Sequence, residues 1–248
     1  MKAVHLLSLL QKDVTEFADR LFTYVENRME RPHGHPTAGG SSDQEIYSHF
    51  PELSQYFNEP QFFEIESHVS EKQATVPDPP SGVKHDAGIH LAKFCYAWCR
   101  HNHPSTVIET GVGHGVTTAF ILQALSVNQS GQLWSIDLPP LGAEEDAGCL
   151  VPVALRDRWS YKKGRSRRIL PCLLRKAGRI DMFLHDSLHT ARNMTFEFSS
   201  AWPHIRSGGL LISDDVGFFN HAFEDFVAKN NCLYHAIHSA GYGIAIKK

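Results

Sequence analysis

The run Glu109-Thr110-Gly111-Val112-Gly113-His114-Gly115 follows the β-forming residues Thr106-Val107-Ile108 and precedes an apolar helical pattern. Glycines in a strand-to-helix turn let the backbone bend tightly and let a ligand approach main-chain N–H groups. A dinucleotide fingerprint places its glycines at relative positions one, three and six. Here they fall at one, three and five, Val116 stands at six, and an acidic residue precedes the first glycine. Asp137 ends the next apolar run, Ser135-Ile136. A carboxylate there can accept both hydrogen bonds from ribose hydroxyls, a role that suits more than one nucleoside cofactor. It also suits a turn or helix cap.

Two further apolar runs end in groups that could act on a substrate. Ile180–His185 leads into Asp186-Ser187-Leu188-His189, and Leu210–Ser213 leads into Asp214-Asp215. His189 lies three residues beyond Asp186, so both can face one pocket. A neutral histidine is the natural general base near pH 7; a supporting hydrogen bond or a surface position are its other readings. Asn220 and His221 could line the same mouth or simply begin a helix. His33 and His35 sit in a Gly/Pro-rich segment and read as solvated.

The elements that must hold these groups alternate. Helical patterns are expected over 86–101, 116–125, 166–176, 191–205 and 221–230. Strands are expected over 105–109, 132–137, 180–185 and 210–213, with a weak one near 159–162. Two last strands, 233–237 and 243–246, flank Ser239-Ala240-Gly241, a hairpin signal. This predicts an α/β fold: a Rossmann-like, doubly wound, mainly parallel seven-stranded sheet with an antiparallel C-terminal hairpin. Ligands of such sheets bind at the carboxyl ends of the strands, near the switch in strand order. Ahead of it, residues 4–29 read as one amphipathic helix, with Leu7, Leu10, Val14, Phe17, Leu21 and Val25 spaced by threes and fours. Its apolar stripe must be buried against some surface, and a self-association through it is one expectation. A breaker-rich loop follows to Ser42, then a short helix from Asp43, read as its N-cap, to about Tyr56. Pro77, Pro79, Pro80 and Gly82 mark a hinge. The expected organisation is a helical N-terminal extension over 1–83, as lid, substrate or dimer contact, and a ligand-binding domain over 84–248.

The acidic residue and glycines at 109–115 resemble motif I of class I S-adenosylmethionine (SAM)-dependent methyltransferases. The segments at 179–189 and 202–216 resemble the macrocin O-methyltransferase-like and cephalosporin-hydroxylase-like branch, a methyltransferase domain of the family 24 type. They are also similar in layout to catechol O-methyltransferase. The resemblance covers roughly residues 84–248, and its motifs are specific jointly rather than singly. It implies that Glu109, Gly111, Gly113, Gly115, Asp137 and Asp186 bind SAM. It further implies that Asp186, Asp214 and Asp215 hold Mg²⁺ or another divalent cation. Three converging carboxylates would repel one another without a cation, and hard oxygen ligands suit Mg²⁺. The catechol enzyme has Asn where this chain has Asp215, which weakens any inference to a catechol substrate. The expected chemistry is metal-assisted O-methylation of a hydroxyl on a small molecule of natural-product or sugar type, with His189 and Asp186 catalytic. The alternatives are an NAD-dependent oxidoreductase, a cephalosporin-hydroxylase-like protein and a non-catalytic SAM-binding module. The missing third fingerprint glycine and the Asp214-Asp215 pair count against the first.

Composition narrows the partners. The 248 residues carry a formal net charge of -3 and 21% charged residues, so no broad basic face calls for nucleic acid. The amino-methylation motif of nucleic-acid enzymes is absent after Ile180–His185. Arg165, Arg167, Arg168, Arg175, Lys176 and Arg179 read as the solvated face of a helix, with an anionic partner as the other reading. Cysteines 95, 99, 149, 172 and 232 are scattered and read as buried thiols of a reducing compartment. With no signal peptide or membrane span evident, a cytoplasmic location is expected. The aromatic set Tyr47, Phe50, Tyr56, Phe57, Phe62 and Phe63 could line an acceptor site, or could simply pack.

Overall fold

The computed structural model describes residues 9–10, 12–30, 40–76, 88–217 and 220–248. The expected loop before Gly40, with His33 and His35, and the expected hinge at 77–83 lie outside the described residues. Helices are α1 (Val14–Met29), α2 (Asp43–His49), α3 (Pro60–Gln73), α4 (Ile89–Asn102), α5 (Val116–Val127), α6 (Ser166–Ala177), α7 (Ala191–Ala201) and α8 (Ala222–Lys229). Strands are β1 (Thr106–Thr110), β2 (Gln132–Asp137), β3 (Trp159–Lys163), β4 (Ile180–His185), β5 (Ile205–Ser213), β6 (Cys232–Ile237) and β7 (Gly243–Lys247).

The seven strands form one sheet in the order β3-β2-β1-β4-β5-β7-β6. The first five run parallel, and β7 joins β5 and β6 antiparallel, as the alternation and the hairpin signal predict. Strand order reverses between β1 and β4, where Thr110 pairs with His185. The turns after these strands therefore open on one crevice. β4 and β7 are buried almost throughout because helices cover both faces.

One core lies between the sheet and α4 and α5. It also takes in Ile46, Leu53, Phe62, Ile65 and Val69 from the N-terminal helices. The other core lies under α6, α7 and α8. Most of the aromatic set packs into the first core: Phe62 meets Phe57, Tyr96 and Phe120 at 5.2–6.0 Å between ring centres. None of the set lines the main cavity.

Several boundaries differ from expectation. The N-cap of α2 is Ser42, not Asp43; Ser42 and Glu45 form a capping box. The helix ends at His49 because Pro51 starts a 3₁₀ segment, Pro51–Asn58. α3, which is not among the expected elements, begins with Pro60 in its first turn. α7 stops at Ala201 before Pro203, and β5 begins at Ile205 rather than Leu210. The carbonyls of Trp202 and Ile205 accept hydrogen bonds from Lys247 Nζ at 2.7 and 2.8 Å. Cys95 and Cys99 are buried as expected, but Cys149 and Cys172 are exposed and Cys232 is half-buried. Among the described residues no helix is long and apolar enough to cross a membrane.

Candidate active site

A cavity of about 560 Å³ opens at the carboxyl ends of β1, β2, β3, β4 and β5, within the range of small-molecule sites. Gly111, Gly113, Asp137, Asp186, His189, Asp214 and Asp215 line it. Glu109 and Gly115 do not.

The reason for each placement is local. Gly111 has φ +84°, and a Cβ there would overlap the Asp186 carbonyl oxygen. Glycine thus lets the turns after β1 and β4 touch, and the Asp186 N–H donates to Thr110 O at 2.7 Å. Gly115 begins α5 and abuts Gly148 and Val151, so its role in this structure is packing behind the loop. Glu109 points beneath the loop. It is 1% exposed and accepts hydrogen bonds from Ser135 Oγ at 2.5 Å and Thr118 Oγ1 at 2.9 Å. Burial pushes its carboxyl up to about 8, although Ser135 and Thr118 hold it down in part. Glu109 therefore braces the glycine turn from below.

Asp137 ends β2 at the cavity wall. Burial raises its carboxyl to about 6, against the lowering effect of the Leu138, Val112 and Gly113 amides it accepts from. The carboxylate joins the end of β2 to the glycine loop and faces the cavity.

Asp186 and Asp214 follow neighbouring strands and contact each other. Burial, then Asp214, Glu109 and Asp215, hold the Asp186 carboxyl well above the usual range. Burial and Asp215 raise Asp214 to about 6. The pair is thus built to share a proton or a cation. Asp215 differs from expectation. Its backbone is left-handed, with φ +52°. Its carboxylate lies 3.3 Å from His189 Nδ1, while His189 Nε2 lies 3.7 Å from Asp186 Oδ1. The imidazole stands between the two carboxylates. Among the described residues, Asp186, Asp214 and Asp215 do not together bring oxygens within reach of a single ion. The hard-oxygen chemistry of Asp186 and Asp214 fits Mg²⁺; Asp215 would join only after its side chain moves.

Behind this site Glu197 of α7 is fully buried. It accepts from Thr110 Oγ1 at 2.5 Å, His185 Nδ1 at 2.6 Å, Ser187 Oγ at 2.8 Å and Asn193 Nδ2 at 2.9 Å. Asn193 Nδ2 also donates to Leu188 O, and Asn220 Nδ2 donates to His189 O. This network fixes the 186–190 turn that carries His189. His221 is exposed and sits beside Glu224, at a helix start rather than in the cavity wall.

Thr23, Pro139, Arg165, Ser166 and Asn193 also line the cavity, and none of them is among the site residues expected from sequence. Applying the strand-end rule to β3 would have found Gly164-Arg165-Ser166. Nothing local announces Thr23, because α1 reaches the cavity through long-range ion pairs. Asp19 pairs with Arg168 at 2.6 Å, Glu26 with Arg165, and Arg20 donates to Pro139 O at 2.9 Å. Arg165 and Arg168, expected on a solvated face, are thus the dock for α1.

Comparison with known proteins agrees with this architecture. Residues 108–216 match the family model described as a methyltransferase domain. No curated protein matches the chain in sequence. Among solved structures it is similar to an O-methyltransferase from Bacillus cereus in complex with SAH, at 16% identity and TM-score 0.53, over 77% of this chain and 92% of that one. It is similar to SAH-bound Podospora anserina methyltransferase PaMTH1, at 13% identity and TM-score 0.56, over 94% and 96%. It is also similar to the O-methyltransferase TomG from Streptomyces achromogenes in complex with SAM, at 18% identity and TM-score 0.55, over 84% and 100%. At these identities the likeness is one of fold.

Proposed function

We propose that this chain, whose residues 108–216 match a methyltransferase-domain model, is a class I SAM-dependent enzyme that methylates a hydroxyl on a small molecule in the cavity at the ends of β1, β2 and β4. One observation carries the reading: the glycine turn, Asp137 and the Asp186–Asp214–His189 group line a single cavity of suitable size. Gly111 and Gly113 would hold SAM against the turn after β1, and Asp137 would accept hydrogen bonds from its ribose hydroxyls. The structures bound to SAM or SAH that share this fold support that reading.

The chemistry is a direct displacement. The acceptor oxygen forms a bond to the methyl carbon as the carbon–sulfur bond breaks, leaving S-adenosylhomocysteine. The hydroxyl proton passes to His189 Nε2, on the side of the ring that faces Asp186. Asp215, beside Nδ1, stabilises the imidazolium that forms. A divalent cation held by Asp186 and Asp214 would lower the hydroxyl pKa. The chain itself contributes position: Glu197 and Asn193 fix the turn that carries Asp186 and His189. Unbridged Cys95 and Cys99 suit a reducing, cytoplasmic setting.

Calorimetric titration of SAM into cofactor-stripped protein, with and without Mg²⁺, tests the reading. Micromolar binding is expected, weakened about 10- to 100-fold by Asp137→Ala through loss of charge-assisted hydrogen bonds. Absence of binding by folded protein would reject the reading, and a metal-independent methyl transfer would reject the cation alone.

A further inference from the structure

α1 is amphipathic with its faces reversed. Asp19, Arg20 and Glu26 are its buried residues and dock on the cavity rim. Val14, Leu21, Phe22, Val25 and Met29 point outward, with Val14 64% and Met29 73% exposed. At 100° per residue Val14, Leu21 and Val25 occupy the side opposite Asp19 and Glu26, while Phe22 and Met29 flank it on the Glu26 side, where Arg165 lies 5.9 Å from the Phe22 ring centre. Seven of the eleven exposed large apolar side chains among the described residues lie between Leu10 and Met29. Six of them belong to α1 itself, and Leu10 lies just ahead of its N-cap, Asp13. At on the order of 100 Å² each, they present roughly 700 Å², more than the ~300–600 Å² of an ordinary monomer's largest patch. That is close to the ~800 Å² that a standard interface buries on each side.

We infer that α1 is a dimerisation helix, pairing antiparallel with α1 of a second copy across a two-fold axis and so clamping both helices over their cavities. Three observations select this occupant. The face is apolar along its centre, so it meets itself without opposing like charges. Antiparallel pairing centred on Leu21 brings Arg28 of each copy next to Asp13 of the other, at opposite ends of the same helix. The area is that of an isologous interface. A lipid surface fits less well, because an interfacial helix keeps a basic polar face in water. Here the polar face is turned inward, is partly acidic, and is engaged by Arg165 and Arg168.

The pairing also answers why the helix stays in place. Its inner contacts are polar: Asp19 to the Arg165 N–H at 3.1 Å, Glu26 to Thr190 Oγ1 at 3.0 Å, and Glu30 to the Arg192 N–H at 2.9 Å. Buried charges of this kind add little net stability, because their desolvation offsets their attraction. Burial of the outer face supplies an apolar term that the isolated chain lacks.

The test compares wild-type protein, the double variant Leu21→Glu/Val25→Glu, and Leu233→Glu, which changes an exposed apolar residue elsewhere. Sedimentation is followed from about 1 to 100 µM, together with amide exchange over residues 14–29. Wild type and Leu233→Glu should be dimers whose α1 amides exchange at least ~10-fold more slowly than in the double variant. The double variant should be a folded monomer, its dimer dissociation constant raised at least ~100-fold. A wild-type monomer at about 100 µM, a double variant that stays dimeric, or wild-type monomer that sediments with anionic vesicles would each overturn the proposal. None of these readings depends on SAM, so the proposed activity and the dimer can fail separately.

Discussion

Burial pushes the Asp137 carboxyl up to about 6 while three backbone amides pull the other way. In the proposed role only the ionised form would accept both ribose hydroxyls, so SAM binding would compete with a proton. Affinity should hold steady above pH 7 and fall by up to about tenfold per unit below pH 6, a slope that Asp137→Asn abolishes in calorimetry across pH 5–8. The same raised pKa has the opposite sign for folding. The group adds stability below the unfolded-state value near 3.9 and loses it as pH rises through about 6. Glu197 runs the other way. Burial alone would raise it, but His185 and the hydroxyls of Ser166 and Thr110 outweigh that and hold it at about 2. Its contribution is present above the unfolded value near 4.3 and is lost as pH falls toward 2. Glu197→Gln should therefore cost about 3 kcal/mol at neutral pH, by leaving buried partners half-satisfied. Urea unfolding should show that gap narrowing at pH 3. An equal gap at both pH values would mean that shape, not charge, is what the site requires.

The alternation of strands and helices was legible because β4 and β7 carry the apolar runs Met182–Leu184 and Ile244–Ile246 and the turns after strands carry glycine or aspartate. The crevice followed from strand order alone. What escaped were features set at long range. Phe62, Ile65 and Val69 recur at helical spacing behind Pro60, so α3 was legible in pattern, but its flanking proline was not used as a start signal. The stripe on α1 was legible too; its direction was not. Apolar residues spaced by threes and fours tell that two faces of a helix differ, not which one meets the protein. In α1 that choice is made by Asp19 and Glu26 finding Arg168 and Arg165, far away in the chain. Asp215 is a further case. Its type suggested a third metal ligand, but the left-handed backbone after Asp214 carries it beside His189, and no residue-type rule foretells that turn.

At the scale of the whole molecule, the residues ahead of α4 are not a detachable appendage to its core. Glu59 receives the Tyr96 hydroxyl at 2.7 Å and pairs with Arg100 at 2.7 Å, and Gln123 Nε2 donates to Gln61 O. Ile46, Leu53, Phe62, Ile65 and Val69 share one cluster with Phe94, Tyr96 and Phe120. Burying five such side chains contributes on the order of 10 kcal/mol, comparable with the ~5–15 kcal/mol of a whole domain's stability. A chain that starts at residue 84 should therefore lack a cooperative thermal transition, although it keeps every residue assigned to the chemistry. A chain that starts at Gly40 loses residues 1–39, α1 among them. It should melt in one transition close to that of the monomeric Leu21→Glu/Val25→Glu chain, because α1 docks by polar contacts and adds little to the core of one copy. Circular dichroism melts of the two truncations decide the matter. If 84–248 unfolds cooperatively near the full-length midpoint, the sheet and its own helices suffice, and residues 40–76 serve the site rather than the fold.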